Sequence, residues 1–566
     1  MSIIELNTGN CQNCYKCIRN CPLKAIRFKE GRATVIDDEC ILCGTCVDVC
    51  PQNAKFVKSQ RQQVKDLLTQ GERVYVSVAP SYTAYYNIDF PTLSATLKKM
   101  GFAGVEETAI GANEVSREYS HLLIDGQMGN IIVTACSSVV MLVERHYPEL
   151  IKHLAPVASP MMAHAKLMRE TYGNDIKVVF LGPCIAKKEE AADRLAGGYV
   201  DYAITFSGLE EWMQKDGIQF SETPDPEAVG VLNPVSRLYP KPFGIIQTIS
   251  ERLFKQKYRK VSVDGISDCI ELFDTLKNDE SIQGLFIEAN VCKGGCLGGP
   301  VLRSKHKNPH LSQFNLDDDP MEYDDTPAAT TRNAFSHPRV FANRSAQRPQ
   351  PTEEDIRRIL ATIGKHSPED ELNCGSCGYP SCRAKAVAVF QGKADIHMCL
   401  PYFRQQAENM SNTVLEFSPN GILVFDSEQR LLDMNPTAEI MLGLEKKDWL
   451  GELPPVFYGE NDFEDARAEE KVKVKKITID DKFCEQTILF VKQHGMYLVF
   501  IKDISEEESR KQELAGLREH TVSIAQKVIE KQMTVAQEIA SLLGETTAET
   551  KVALTKLKKS MEEQNK

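Results

Sequence analysis

Residues 131–140 read IIVTACSSVV, a short apolar run that ends at an isolated cysteine, Cys136. Between about residues 60 and 300, β-branched runs alternate with segments of helical period, which is typical of α/β units. Four of these runs end in small, polar or cysteine residues, at 79–81, 134–136, 182–187 and 289–296. Sites in open α/β sheets form at the carboxyl ends of strands, so we expect these four endings to lie together.

These strand endings carry four cysteines, enough to hold one metal cluster from scattered positions. They are Cys136, Cys184, Cys292 and Cys296. Lys187 follows the second cysteine closely and could donate a hydrogen bond to an anionic ligand. The spacing by itself predicts a further metal cluster here and indicates no particular reaction.

The amino-terminal segment repeats one cysteine pattern, C-x2-C-x2-C-x3-C-P, at residues 11–22 and 40–51. This is the bacterial two-cluster ferredoxin pattern, in which the fourth cysteine of each run ligates the other cluster. One 4Fe–4S cluster would take Cys11, Cys14, Cys17 and Cys50, and the other would take Cys40, Cys43, Cys46 and Cys21. A pair of zinc sites is the alternative, but four-cysteine zinc sites do not usually duplicate this spacing.

Composition bounds the class of protein. The 566 residues predict roughly three to five domains, and the net charge of −12 without a long basic block gives no electrostatic support for nucleic-acid or anionic-membrane binding. No apolar run approaches the roughly 18 residues that span a bilayer, and no signal-peptide pattern is present. We therefore expect a cytoplasmic protein, in which eighteen cysteines indicate metal sites more than disulfides.

A second set of cysteines follows a polar connecting segment. Cys374, Cys377, Cys382 and Cys399 could hold zinc or a further 4Fe–4S cluster by spacing alone. The pattern C-G-S-C-G-Y-P-S-C resembles the small 4Fe–4S domain of RnfB-like proteins, which favours iron–sulfur.

The carboxy-terminal part contains no metal motif. Residues 410–505 predict an antiparallel sheet with short helices, and SPNGILVFDSEQRLLDMNPTAEIMLGL resembles a PAS sensor domain. From about residue 506 onward, apolar residues recur with a period of 3.5–3.6, which is typical of a coiled-coil or partner-binding helix. Such a tail would permit a homodimer, and packing back on the PAS domain is the alternative.

Three strand endings resemble the signature loops of iron-only (FeFe) hydrogenases. They are T-A-C-S-S-V-V-M-L-V-E-R-H-Y-P-E-L, G-P-C-I-A-K-K-E-E-A and E-A-N-V-C-K-G-G-C, and the resemblance extends over residues 1 to about 300. It implies an H-cluster, in which Cys136, Cys184, Cys292 and Cys296 hold a 4Fe–4S cube. Cys296 would bridge the cube to a diiron unit carrying CO, cyanide and a dithiolate. Lys187, Pro80 and Ser81 match positions that hydrogen-bond the cyanides.

The sequence differs from catalytic members of that family at the positions that transfer protons to and from the diiron unit. A second cysteine usually precedes the first cube ligand and relays protons, whereas Ala135 stands here and cannot exchange one. Methionines usual near the diiron unit are replaced by Gly182 and Asn290, and residues 117–120 offer one carboxylate where an acidic pair is expected. A proton relay needs titrating groups within hydrogen-bond reach, so we expect slow turnover unless Ser137 or a water substitutes.

The sequence thus predicts a multidomain α/β plus α+β protein. The predicted parts are a two-cluster ferredoxin domain at 1–60, an H-cluster domain at 61–305, a linker at 306–351, a small 4Fe–4S domain at 352–405, a PAS-like domain at 406–505 and a helical signalling or coiled-coil tail at 506–566.

Three functions fit these parts. The one we favour, from resemblance to sensory hydrogenases, binds or reversibly oxidises dihydrogen slowly, relays electrons through three 4Fe–4S clusters besides the H-cluster cube and signals to a partner phosphatase or kinase. The alternatives are an ordinary hydrogenase that exchanges electrons with ferredoxin, and an iron–sulfur redox sensor without hydrogenase activity. The retained cube ligands and Lys187 argue against the last, and Ala135 with the PAS–helix tail argues against the ordinary enzyme. A diiron unit would also require hydrogenase maturation factors.

Overall fold

The computed structural model describes residues 2–228, 234–254, 257–305, 308–317, 338–453, 462–468, 472–543 and 547–563. The chain divides into two compact units, residues 1–402 and 403–566, which are described separately. In the described ranges, no helix is both long enough and apolar enough to cross a membrane.

The first unit begins with two small antiparallel strand pairs that enclose the two cysteine runs. The strands are β1 (Ile4–Leu6), β2 (Ile26–Lys29), β3 (Arg32–Val35) and β4 (Lys55–Val57), with β1 paired to β4 and β2 to β3. A one-turn helix follows each cysteine triplet, namely α1 (Lys16–Arg19) and α2 (Thr45–Asp48). Ile18 and Ile41 are buried between these elements, so the short pairs share one apolar core.

Residues 61–305 build two parallel sheets, as the α/β pattern predicts. Their strands are β5 (Val74–Val78), β6 (Gly104–Glu107), β7 (Ile131–Ile132), β8 (Lys177–Gly182), β9 (Tyr202–Thr205), β10 (Arg259–Asp264) and β11 (Leu285–Asn290). The strand order is β6-β5-β8-β9 in one sheet and β10-β11-β7 in the other. The four strands with the unusual endings are therefore paired, β5 beside β8 and β7 beside β11.

Helices cover these sheets and bury their β-branched residues. They are α3 (Arg61–Thr69), α4 (Tyr82–Tyr86), α5 (Phe90–Lys99), α6 (Ala109–Asp125), α7 (Ser137–His146), α8 (Pro160–Tyr172), α9 (Lys187–Ala192), α10 (Phe206–Asp216), α11 (Gly244–Gln247), α12 (Glu251–Phe254), α13 (Ile266–Asn278), α14 (Pro300–Arg303), α15 (Pro309–Ser312) and α16 (Phe314–Asp317). Every residue of β5 is buried, which explains why its sequence is apolar without alternation.

Two helices frame the last cysteine set of the first unit, α17 (Glu353–Ala361) and α18 (Cys382–Phe390). Thr352 caps α17 through a reciprocal capping box with Asp355, which satisfies backbone N–H groups of the first helical turn. The predicted linker is described at residues 308–317, where it forms the short helices α15 and α16, and from residue 338 onward. The later segment has no regular secondary structure and lies against other parts of the first unit through Arg339, Arg344 and Arg348.

The second unit contains the predicted antiparallel sheet. Its strands are β12 (Gly421–Phe425), β13 (Leu431–Met434), β14 (Lys473–Ile479), β15 (Lys482–Val491) and β16 (Met496–Asp503), in the order β13-β12-β16-β15-β14. Its helices are α19 (Leu400–Glu416), α20 (Pro436–Leu442), α21 (Lys446–Trp449), α22 (Asp462–Ala468), α23 (Ser505–Leu543) and α24 (Thr547–Glu563). Asn435 caps α20 by accepting a hydrogen bond from Ala438 N.

The long helix α23 leaves much of its apolar stripe exposed. Leu514, Leu517, Ile524, Val528, Val535 and Ile539 are all among the exposed large apolar side chains. Exposed apolar residues at this spacing are typical of a surface that another helix covers.

Candidate metal centre

The four scattered cysteines converge at the carboxyl ends of the paired strands. Cys136 stands directly before α7, Cys184 follows β8, and Cys292 and Cys296 follow β11. Burial and then the neighbouring thiols Cys184, Cys136 and Cys296 raise the pKa of Cys292 well above its ordinary value. Burial and Cys136 likewise raise the pKa of Cys184 to about 11. Clustered, buried thiols of this kind favour a bound cation or metal cluster, which stabilises them as thiolates.

A cavity of about 600 Å³ opens between the two sheets, and we call it the site cavity. Its lining includes three of the four cysteines and four other residues that the sequence singled out, namely Cys136, Cys184, Cys296, Pro80, Ser81, Ala135 and Lys187. Apolar side chains, among them Met161, Phe180 and Ile245, complete the wall.

Two polar side chains in the site cavity have no hydrogen-bond partner among the described residues. The hydroxyl of Ser81 and the Nδ2 amide of Asn290 are both buried and unpaired. An unpaired buried donor costs free energy, so each position fits an acceptor supplied by a bound group. The sequence presents Asn290 only as a replaced methionine, whereas in the fold its side-chain amide is an unpaired donor in the site cavity.

Lys187 is held beside the site cavity by a buried carboxylate. Its Nζ lies 2.6 Å from Glu190 Oε2 and donates a second hydrogen bond to Ala135 O at 3.1 Å. Burial would raise the pKa of Glu190, but the Lys187 and Arg339 cations lower it to about 2. The carboxylate therefore stays ionised and holds the lysine in place.

Arg339 is a member of this network that sequence reasoning missed. It lies in the segment predicted as a linker, and its Nη1 is 2.8 Å from Glu190 Oε1. Ser137 also donates to Glu190, and it does not belong to the lining of the site cavity. No sequence signal joins positions 190 and 339, because an ion pair leaves no periodic pattern.

The loop after β11 contacts the segment of residues 238–244. Cys296 N donates to Pro240 O at 2.7 Å, and Tyr239 and Pro240 line the site cavity. A Cβ on Gly295 would lie 2.4 Å from Pro240 O, and the residue has a φ of +65°. Glycine is required there because the two loops touch and the backbone adopts a positive φ.

The ferredoxin cysteines form a second enclosed group. Cys21, Cys40, Cys43 and Cys46 line a cavity of about 390 Å³ together with Ile266 of α13. Backbone N–H groups already donate to sulfur there, from Ala25 to Cys21 at 3.4 Å and from Leu42 to Cys40 at 3.4 Å. Thiolate ligands of iron–sulfur clusters accept hydrogen bonds of this kind from backbone N–H groups.

The remaining ferredoxin cysteines lie nearer the surface. Burial raises the pKa of Cys17, and the neighbouring thiols of Cys11 and Cys14 raise it further. Ala54 N donates to Cys50 Sγ at 3.3 Å. The positive charge of Lys55 acts on both thiols: it opposes the effect of burial on the pKa of Cys17 and contributes to the lowered pKa of Cys50.

The last four cysteines line a cavity of about 380 Å³, with Lys385 beside them. They are Cys374, Cys377, Cys382 and Cys399. This part packs on the ferredoxin segment: Arg19 Nη1 donates to Ser376 O at 3.2 Å, and Phe28 N donates to Lys393 O at 2.8 Å. In the sequence this cysteine group follows the hydrogenase-like part of the chain, but in the fold it packs against the ferredoxin part.

Across the described ranges, no three His, Cys, Asp or Glu side chains are arranged to hold a single metal ion. The assignment of clusters therefore rests on the thiol-lined cavities and on likeness to known families.

Family models match four parts of the chain. Residues 72–300 match the C-terminal domain of the iron-only hydrogenase large subunit. This part of the chain is an iron-only hydrogenase domain. Residues 10–55 match a 4Fe-4S dicluster domain, residues 370–401 an Fe-S cluster family and residues 409–473 a PAS domain. The chain thus combines a part that matches the iron-only hydrogenases with parts that match iron–sulfur and PAS domains, as the sequence predicts.

Individual relatives are distant. The NADP-reducing hydrogenase subunit HndD of Solidesulfovibrio fructosivorans is 23% identical over 46% of this chain, and iron hydrogenase 1 of Clostridium pasteurianum is 26% identical over 49% of it. The chain spans 56% and 65% of the lengths of these two relatives. A solved FeFe-hydrogenase structure from Chlamydomonas reinhardtii is 18% identical, covers 51% of this chain and 100% of its own, and has a TM-score of 0.38.

Proposed function

We propose that this hydrogenase-family protein is a sensory FeFe hydrogenase that binds and slowly, reversibly oxidises dihydrogen. The observation that carries the proposal is the lining of the site cavity. Cysteines, a fixed lysine and two unpaired donors face one enclosed space, while Ala135 stands where catalytic relatives keep a proton-carrying thiol. The site keeps the features that hold the diiron unit and lacks the feature that drives rapid turnover.

Each residue of the site has a defined task. Cys136, Cys184, Cys292 and Cys296 would hold the cube, with Cys296 bridging to the diiron unit, which when bound supplies the splitting or formation of dihydrogen. Lys187 and Ser81 would donate to its anionic ligands, and Pro80 shapes the wall beside them. Met161, Phe180 and Ile245 exclude water from the space between.

The ferredoxin part would carry electrons from this site. A Cβ on Gly44 would lie 2.7 Å from Pro300 and 3.3 Å from Ile185, so the loop that carries Cys43 touches the hydrogenase domain directly. Cys14 and Cys374 are exposed, which gives a soluble carrier such as ferredoxin an approach to both outer cysteine groups. Iron–sulfur ligation by so many reduced thiols fits a cytoplasmic location.

The PAS domain and α23 would convert the redox state of the clusters into a signal. The exposed apolar stripe of α23 favours pairing with a second copy of the chain or with a partner phosphatase or kinase. In this scheme residues 1–60, 61–305 and 352–405 hold clusters, 306–351 connect them, 406–505 form the PAS relay and 506–566 form the output helices.

Infrared spectroscopy of the full chain, matured with hydrogenase assembly factors, tests the proposal. We expect CO and cyanide bands and slow uptake of dihydrogen. Cys296→Ala should lose the bands, whereas Cys484→Ala, a buried cysteine of the second unit, should keep them as the matched control. Absence of the bands from the unaltered protein would leave only an iron–sulfur redox sensor.

A further inference from the structure

A chain of hydrogen bonds leads away from the wall of the site cavity. Thr108 lines the cavity just after β6, and its Oγ1 lies 2.7 Å from the hydroxyl of Ser77. The Ser77 hydroxyl lies 2.8 Å from Nδ1 of His164 on α8. Ser77 and His164 are both fully buried, so this contact is shielded from water.

The same chain continues through the imidazole ring. His164 Nε2 lies 2.9 Å from Glu106 Oε2, and the hydroxyl of Tyr172 donates to Glu106 Oε1. A carboxylate only accepts, so the ring places an N–H at Nε2, and in the tautomer with that single N–H its Nδ1 accepts from Ser77. Tyr172 is half-buried at the end of α8, so the chain runs from the cavity to the protein surface.

We propose that Thr108, Ser77, His164, Glu106 and Tyr172 form the proton path of this hydrogenase, in place of the missing thiol at position 135. The inference rests on the function proposed above, because it assigns the route by which protons of that reaction reach and leave the site. Oxidation of one dihydrogen yields two protons and two electrons. The electrons leave through the iron–sulfur clusters, and the protons leave one after the other along this path.

Each transfer exchanges one O–H or N–H bond for another. Thr108 takes a proton from the cavity and gives its own to Ser77, which gives its own to His164 Nδ1. His164 then releases the Nε2 proton to Glu106, whose carboxylate becomes a neutral acid. The neutral carboxyl group then turns its O–H from Oε2 toward Tyr172, whose hydroxyl turns toward solvent, so that the tyrosine oxygen accepts this proton while its own passes to water and the carboxylate is restored. Before the second proton passes, the Thr108 and Ser77 hydroxyls turn back and the His164 ring returns to the tautomer with its hydrogen on Nε2.

A buried polar cluster with a purely structural role is the alternative. Two features favour the proton path: one end lies in the site cavity and the other near solvent, and the members come from β5, β6 and α8. Glu106 lies within hydrogen-bond distance of both His164 Nε2 and the Tyr172 hydroxyl, so one carboxyl group joins the inner and outer halves of the path.

The competing route through Ser137 ends in the protein interior. Ser137 donates to Glu190, which is already paired with the cations of Lys187 and Arg339. Glu190 is 1% exposed, and a carboxylate fixed between two cations is a poor proton acceptor. In the described contacts, Glu106 on the path through His164 is not held between a lysine and an arginine as Glu190 is.

Glu106→Gln and Thr108→Val test the path in the matured full chain, with His153→Gln as a buried-histidine control outside it. Loss of a positioned relay group typically slows turnover about 10²–10⁴-fold, and we expect both test variants to fall by at least about tenfold while the control does not. The second measurement is the infrared difference spectrum on exposure to dihydrogen. A carboxyl band should appear in the unaltered protein and disappear in Glu106→Gln.

The outcomes separate this inference from the proposed function. Unshifted CO and cyanide bands with slowed turnover in both variants support the path. Three results would overturn the proton path while leaving the hydrogenase function standing. They are unchanged turnover in either variant, loss of turnover with shifted CO and cyanide bands, and a carboxyl band that persists in Glu106→Gln. Absence of CO and cyanide bands from the unaltered protein overturns the proposed function itself.

Discussion

Arg339 and Glu190 form a buried ion pair, with 2.8 Å between Nη1 and Oε1 and side chains 5% and 1% exposed. The pair joins a segment of extended chain to the helix that begins with Lys187. Because Glu190 also holds Lys187, the segment after residue 338 supports the site from outside the hydrogenase sheets.

Removing this arginine should destabilise the first unit. Arg339→Ala leaves a buried carboxylate with one cation instead of two, and we expect a loss of about 3 kcal/mol in the free energy of unfolding. Denaturation of the metal-free protein measures it. Arg358→Ala, whose side chain is 71% exposed, is the control and should change stability by less than about 0.5 kcal/mol. Equal effects of the two variants would contradict a supporting role for Arg339.

Glu190 should make the free energy of unfolding depend on pH in the acid range. Burial opposes ionisation, but Lys187 and Arg339 lower its pKa from 4.5 to about 2 in the folded protein. Its stabilising contribution is complete above the unfolded-state pKa and is lost as pH falls through the folded value. Metal-free Glu190→Gln, though less stable, should therefore lose stability less steeply between pH 4.5 and pH 2. Identical slopes of unfolding free energy against pH would show that Glu190 is not held ionised.

A thiol at position 135 should speed turnover. Ala135 lines the site cavity, so Ala135→Cys adds a group there that can exchange protons. We expect dihydrogen oxidation to rise several-fold, measured on protein matured to the same cluster content. Ala135→Val adds bulk without a proton and is the control. An unchanged rate would mean that proton supply does not limit the reaction.

Lys24 should tune two clusters at once. Both Cys21 and Cys377 act on its pKa, which burial lowers, and its Nζ donates to Ile18 O at 3.1 Å. Lys24→Gln removes a positive charge from the junction of the ferredoxin part and the small cysteine domain, so the reduction potentials of both adjoining clusters should fall. Redox titration followed by electron paramagnetic resonance measures them. Lys29→Gln, 73% exposed, should shift neither, and a shift in only one cluster would argue against a shared junction.

The carboxy-terminal part should be separable from hydrogen chemistry. Removal of residues 406–566 should spare turnover and abolish any effect on a partner, since residues 1–402 form a compact unit. In the full chain, Ile524→Glu with Val528→Glu should lower self-association in sedimentation, because both side chains are exposed members of the stripe. Lys527→Glu on the same helix is the control. Truncation that stops turnover would contradict a separable relay.

Several features followed from the sequence because their signals are local. The ferredoxin spacing, the apolar runs of β5, β7, β8 and β11 and the period of α23 each depend on residues close in the chain. The small domain was also recognisable, but its position on the ferredoxin part was not. That contact joins Arg19 to Ser376, which lie far apart in the chain, and a hydrogen bond to a backbone oxygen leaves no pattern.

The amino-acid sequence by itself indicated the likeness to iron-only hydrogenases, the cysteine groups and the alanine at position 135. Ligand spacing and strand period depend only on residues close together in the chain, so they can be recognised without the tertiary structure. Only the folded chain brought Arg339 to Glu190, left Asn290 unpaired in the site cavity and aligned Ser77, His164 and Glu106. These relationships depend on distance and burial, which arise when separate strands and helices pack together.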